Sequence, residues 1–134
     1  MILQGVLHFS GNLEESVAAG ELALGMSGRL SWSMAFLAVT FADLGKREDA
    51  DALYAEMLAR SRRHYVPPAQ LAVAAFAAAR EHEAIRYASD AFEIRDPGCQ
   101  FFFSRHLPYS ALLYAHPGFC EIIARMGRSE WLRN

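Results

Sequence analysis

Residues 45–58 read GKREDADALYAEML, a glycine followed by a charged segment with spaced apolar residues. Related segments lie at the same spacing on either side, GNLEESVAAGELAL at 11–24 and AREHEAIRYASDAF at 79–92. A fixed period of this length, ~34 residues, is typical of proteins built from repeated helix pairs. The spacing therefore predicts three similar units, of which the first is incomplete.

The segments that precede these carry the same period. AFLAV at 35–39 matches AQLAV at 69–73 in four of its five positions, and Ala50 matches Ala84. Helices whose axes pack ~8–10 Å apart need small side chains where they cross. We therefore interpret the repeated alanines, such as Ala38, as points where helices cross.

The pattern predicts only helices and no strand. The residue at the turn inside each pair is expected to be Gly11, Gly45 or, in the last unit where alanine takes the place of glycine, Ala79. Asp96-Pro97-Gly98 is expected to end the last unit, because proline cannot continue a helix. The predicted helices lie near 2–9, 13–25, 31–43, 47–61, 67–79 and 83–94.

These positions resemble the tetratricopeptide repeat, whose signature runs W-x2-L-G-x2-Y, then A-x3-F, then P. In the middle unit the signature falls on Met34, Leu37, Ala38, Phe41, Ala50, Tyr54 and Arg62. In the last unit it falls on Pro68, Leu71, Ala72, Ala75, Ala84, Ala88 and Asp96. Tryptophan and proline of the signature are replaced in the middle unit, while its small and aromatic positions are kept.

The resemblance implies an all-α fold, a right-handed helical-repeat solenoid of stacked antiparallel helix pairs closed by C-terminal capping helices. It covers residues 1–98 of a single domain spanning 1–134. The domain then divides into an incomplete first repeat, two repeats and a non-repeat capping segment, at 1–30, 31–64, 65–98 and 99–134.

The segment FFFSRHLPYSALLYAHPGFCEIIARMG at 101–127 does not repeat. It is similar to the tail that follows the last repeat in bacterial signalling proteins such as nucleotide cyclases, winged-helix regulators and serine/threonine kinases. Pro117 stands where a first helical position is preferred, and Gly127 where a helix stop is preferred. A solenoid end exposes an apolar face that a capping segment must cover. The predicted cover consists of Phe101, Phe102, Phe103, Leu112, Phe119, Ile122 and Ile123.

Composition and charge narrow the class of function. The longest apolar run, Leu71 to Ala79, is far shorter than the ~18 residues of a membrane span. A formal net charge of -2 gives no general attraction to nucleic acid. The opening MILQGVLHF has no basic flank, so it does not resemble a secretory signal. We therefore expect a cytoplasmic protein with no direct nucleic-acid partner and no membrane association.

Catalytic and metal-binding patterns are weak. His116 and Cys120 are four residues apart and could share a zinc ion, and Cys99 and His106 are the other candidates. The paired short spacing of a structural zinc site is absent at Cys99, and a lone cysteine is usually a small apolar residue. No catalytic residue, metal or cofactor is predicted, and we do not expect an enzyme. A small metal protein or enzyme built on this tail remains an alternative.

The chain has one basic cluster, formed by Arg60, Arg62, Arg63 and His64. Such a cluster could contact an acidic peptide or a nucleic acid. It also closes a predicted helix, where cations are favoured by the exposed carbonyl groups and the helix dipole. The second explanation is preferred.

In the family that the chain resembles, the first helix of each pair lines a concave groove. Some relatives use lysine and asparagine there to hold a carboxylate, but Phe36 and Gln70 stand where the asparagines would project. An apolar groove suits an amphipathic helix or a hydrophobic peptide. The residues expected on this groove face are Trp32, Phe36, Val39, Asp43, Gln70, Val73, Phe76 and Ala77.

These observations favour a protein-protein interaction module, a scaffold or adaptor. It would bind a peptide or helix of another protein, within a bacterial signalling or regulatory system. Homo-oligomerisation is the alternative, since an incomplete first helix leaves apolar surface that a homodimer could cover.

Overall fold

A computed structural model describes residues 2–102 and 110–133, and every regular element in these ranges is helical. The prediction of an all-helical fold is confirmed. Each of the six predicted helices begins and ends within two residues of an observed helix. No helix in the described ranges is long and apolar enough to cross a membrane. The helices are α1 Ile2–Phe9, α2 Leu13–Ser27, α3 Ser31–Asp43, α4 Arg47–Ser61, α5 Pro68–Ala77, α6 Glu81–Glu93, α7 Ser110–Ala115 and α8 Pro117–Arg125, with 3-10 turns at Pro97–Phe102 and Ser129–Leu132.

The period of the sequence is also present in the backbone. Gly11, Gly45 and Ala79 have positive φ angles of 84°, 76° and 58°. The residue after each of them donates its N–H to the carbonyl oxygen five positions back, at 2.8 or 2.9 Å. This is the Schellman arrangement, in which a left-handed residue closes the end of a helix. The three predicted turns are therefore confirmed.

Consecutive helices pack in pairs, α1 with α2, α3 with α4 and α5 with α6. Short turns join the members of each pair, so the two helices must lie side by side. Across the pairs, α3 packs against both α2 and α5, and α5 also packs against α4. The two helices α3 and α5 thus each pack against several other helices, and most of their residues are buried.

The alanines predicted at helix crossings are completely buried. Ala38, Ala50, Ala72 and Ala84 have no exposed surface. Their small side chains let the helix axes approach, so larger residues nearby can fill the remaining space at high density. Those larger buried residues include Met34, Leu37, Met57 and Val73.

The contact between α1 and α2 is more polar. The Ser16 hydroxyl donates to the carbonyl oxygen of Gln4 at 2.8 Å, and both residues are buried. Gly20 leaves room for the Gln4 side chain, because a Cβ there would lie 2.9 Å from the Gln4 Cδ atom. Neither atom of the Gln4 amide group has a hydrogen-bond partner. Small residues therefore form the crossing in the first unit as well.

The chain after α6 turns back onto the last pair. Asp96 is buried, and its carboxylate accepts from the backbone N–H of Ala69 at 3.0 Å and of Gly98 at 2.8 Å. A Cβ at Gly98 would lie 2.7 Å from the Ala69 Cβ atom and 3.4 Å from the Trp32 ring. Glycine is therefore needed where this turn passes close to the starts of α3 and α5.

Helix α8 packs on α6, as a capping element should. Pro117 is its first residue and Gly127 follows its end with φ 71°, so both predicted limits are confirmed. Three of the residues predicted to cover the last pair, Phe119, Ile122 and Ile123, are buried. Phe103 lies outside the described residues, as do the side chains of Phe101, Phe102 and Leu112.

Replacing Ala79 by glycine should stabilise the protein by ~0.5–1 kcal/mol, since alanine at positive φ brings its Cβ too close to the backbone. Urea unfolding measures the change. The control is Ala78→Gly, at a residue with φ -81°, where added chain freedom should lower the stability. A lower stability for Ala79→Gly would contradict the backbone geometry.

Replacing Ala72 by leucine should destabilise the protein by ~1–3 kcal/mol, because the crossing has no room for a larger side chain. Ala55→Leu adds the same atoms at an exposed position of α4 and should change the free energy of unfolding little. Equal effects of the two substitutions in urea unfolding would contradict the close approach of helices at Ala72.

Candidate functional site

Trp32 and Phe36 lie together on the predicted groove face. Their rings are 5.9 Å apart between centroids, with an interplanar angle of 54°. Both side chains are half-buried. The two residues are one helical turn apart on α3, so they present a joined aromatic surface on one side of that helix.

The structure places the other apolar residues of this face inside the core. Val39, Val73, Phe76 and Ala77 are all buried. The physical reason is that α3 and α5 are each covered by several neighbouring helices, so an apolar stripe on them serves packing. Charged substitutions at Val73 would therefore disrupt the fold before they tested any binding surface.

The two polar residues of the predicted face hold the helices together. The Ser31 hydroxyl donates to the Gln70 side-chain oxygen, which links the start of α3 to α5. Asp43 lies 3.0 Å from His8 Nε2, an ion pair that links α3 to α1 when the imidazole is charged. The Asp43 side chain remains 39% exposed to solvent.

His8 also contacts Thr40, which joins three side chains into one network. His8 Nδ1 lies 2.9 Å from the Thr40 hydroxyl, and that hydroxyl lies 3.2 Å from the Phe36 carbonyl oxygen. The hydroxyl has a single proton, so it can donate to only one of these two groups. When it donates to Phe36, it accepts a hydrogen bond from His8 Nδ1.

Aspartate, histidine and a hydroxyl group are also the components of a nucleophilic triad. Here the hydroxyl belongs to Thr40, which is only 1% exposed and is covered by α1. A substrate cannot reach it in this arrangement. The contacts of this network link α1 to α3.

Sequence reasoning missed this network because His8 and Thr40 belong to different units. The sequence signal that could have revealed it is a pair of polar residues on a largely apolar helix. His8 and Gln4 lie one helical turn apart on α1 and are the buried residues of that helix, although most of its other residues are apolar.

A second polar contact joins α4 to α6. The Tyr54 hydroxyl donates to the carboxylate of Glu83. Burial, and then the neighbouring Glu83, raise the pKa of Tyr54 far above its ordinary value. The phenol therefore remains a hydrogen-bond donor throughout the physiological range.

The cysteine and histidine residues of the tail have local partners. His116 Nδ1 accepts from the Gly118 N–H at 3.1 Å and caps α8, and the Cys120 thiol contacts the Tyr114 carbonyl oxygen at 3.2 Å. Burial, and then Asp96, raise the pKa of the Cys99 thiol to about 11. His106 lies outside the described residues. Within the described ranges, no three histidine, cysteine or acidic residues converge on a metal position.

The basic cluster forms a shallow pocket at the end of α4. Arg60 donates to the carbonyl oxygen of Arg29, whose own guanidinium pairs with Glu56 at 2.7 Å. These contacts join the end of α2 to α4. The pocket has a volume of about 450 Å³ and is lined by Glu56, Ala59, Arg60, Arg62, Arg63 and His64.

No protein-family model, curated protein or solved structure matches this chain.

The network on α1 can be tested by a double-mutant cycle. Thr40→Val should destabilise the wild-type chain by ~1–3 kcal/mol, because it leaves His8 Nδ1 buried without a partner. On a His8→Ala background the same change should cost less, since no ring nitrogen remains to be satisfied. Urea unfolding of the four proteins gives the coupling energy, and a coupling of zero would contradict the contact.

Proposed function

We propose that the chain is a protein-protein interaction module built as a right-handed solenoid of the tetratricopeptide type. The architecture is supported by the fixed period, which recurs in sequence and in the backbone of the turns at Gly11, Gly45 and Ala79. It is also supported by the packing of α3 and α5 against the preceding pair of helices. Such stacks commonly present an extended surface to a partner.

The observation that carries the proposal is a strip of apolar side chains on one side of α1 and α3, which are exposed on α1 and half-buried on α3. A shift of one repeat period relates Phe36 to Ile2 and Asp43 to Phe9. Ile2 is 84% exposed, and Phe9 is also exposed. The strip thus runs from the aromatic pair of α3 onto α1.

Open space lies beside the α1 part of this strip. Gly5 lies between Ile2 and Phe9 on α1, at the position that corresponds to Val39, and a Cβ added there would meet no atom within 4 Å. Apolar anchors at i, i+3 or i+4 spacing on a partner helix could lie along such a surface. We infer that the partner segment is an amphipathic helix or a hydrophobic peptide.

The polar residues of the predicted groove face favour recognition of an apolar segment. Asp43 is held by His8, and Gln70 accepts from Ser31, so two polar groups of this face are already engaged within the protein. Binding of an apolar segment requires no cofactor. The likeness of the tail at 101–127 to those of bacterial signalling proteins favours a partner within a cytoplasmic signalling or regulatory system.

Phe36→Asp tests the proposal, because a carboxylate would be buried against an apolar ligand. Proteins captured from a lysate of the source organism and identified by mass spectrometry should include a partner that the variant loses. Tyr65→Asp, at an exposed aromatic residue outside the strip, should retain that partner.

Circular dichroism should show the same helical content for both variants. If Phe36→Asp lowers it, Ile2→Asp supplies the same test at a residue that contributes little to the core. Capture that is unchanged by Phe36→Asp and by Ile2→Asp would contradict binding at this strip.

A further inference from the structure

The first helix pair ends in an apolar surface, here called the end face. It contains Leu3 and Val6 of α1, 63% and 60% exposed, and Leu22 and Met26 of α2, 66% and 81% exposed. Soluble proteins rarely expose so many large apolar side chains together unless another molecule covers them.

The middle unit shows what covers the corresponding surface of α3. A shift of one repeat period relates Leu3 to Leu37 and Val6 to Thr40, and both of those later residues are 1% exposed. Thr40 contacts His8 of α1, and Leu37 lies 3.0 Å from a Cβ built at Gly20 of α2. A helix pair of this same chain therefore covers the surface in the next unit.

The corresponding surface of α4 differs in chemistry. Leu22 and Met26 correspond to Glu56 and Arg60, which both contact Arg29 of the preceding unit. The first unit has apolar side chains where the middle unit has an acid and a base. The centre of the end face therefore suits an apolar partner surface.

The opposite end of the stack is already covered. The 3-10 turn at Pro97–Phe102 packs on α5 and α6, and α8 packs on α6 through its buried residues Phe119 and Ile123. A second copy could not stack its end face there without displacing these elements. Two copies can instead meet end face to end face, a two-fold arrangement that closes and does not form a filament.

We propose that two copies of this chain associate through the end face as a two-fold symmetric dimer. A surface centred on Leu3, Val6, Leu22 and Met26 is apolar at its centre, with Glu15 at its edge two turns before Leu22 on α2, so pairing with itself buries apolar side chains against one another. In the dimer each α1–α2 pair takes the place that a preceding unit would occupy. This interface adjoins the α1 part of the strip, because Val6 lies one turn from Ile2, but it does not include Phe36 of α3.

Sedimentation equilibrium over a wide range of protein concentration tests the proposal. The wild-type chain should approach twice its mass of 14.9 kDa. Met26→Glu should raise the dimer dissociation constant by at least ~30-fold, because a carboxylate would be buried on both sides of the interface. Ile94→Glu, at an exposed apolar residue away from the end face, should leave the constant unchanged.

A wild-type chain that stays monomeric at every concentration would overturn the proposal, whatever else covers the end face. A dimer that persists in both Met26→Glu and Val6→Asp would overturn it as well. Circular dichroism at low concentration verifies that the variants fold. Phe36→Asp should remain dimeric, which separates this test from that of the proposed partner strip.

Discussion

The close approach of helices at fully buried alanines is the constraint on which the rest of this structure depends. Ala38 and Ala72 occupy the same position in successive units, and Ala50 and Ala84 do so on the second helices. A small side chain at each crossing allows α3 and α5 to pack against several neighbours, and the larger core residues then fill the layer between pairs. The surface left for other molecules lies where this packing stops, at one side of α1 and α3 and at the end face.

The repeat made much of the fold predictable from the sequence. Each of the turns at Gly11, Gly45 and Ala79 is specified locally, by the left-handed conformation that ends one helix and by the charged segment that begins the next. Local rules of this kind need no knowledge of distant residues. Contacts between units do need it, which is why the network of His8, Thr40 and Asp43 was not predicted.

The candidate site was less predictable for a related reason. A helix with apolar residues on several sides has no single amphipathic face, so periodicity cannot show which side a neighbour covers. Val73 and Phe76 follow the spacing of a binding face, yet they are buried because α5 packs against α3, α4 and α6. Trp32 and Phe36, at the same spacing on α3, remain only half-buried.

The polar anchoring of α1 has a consequence for motion. The buried residues of α1 are Gln4 and His8, and the Gln4 amide has no hydrogen-bond partner, so little apolar burial holds this helix in place. Because α1 buries little apolar surface, its local stability should be lower than that of α3. The first helix should then open more often than α3, and any molecule that covers its outer surface would also shift its equilibrium towards the folded state.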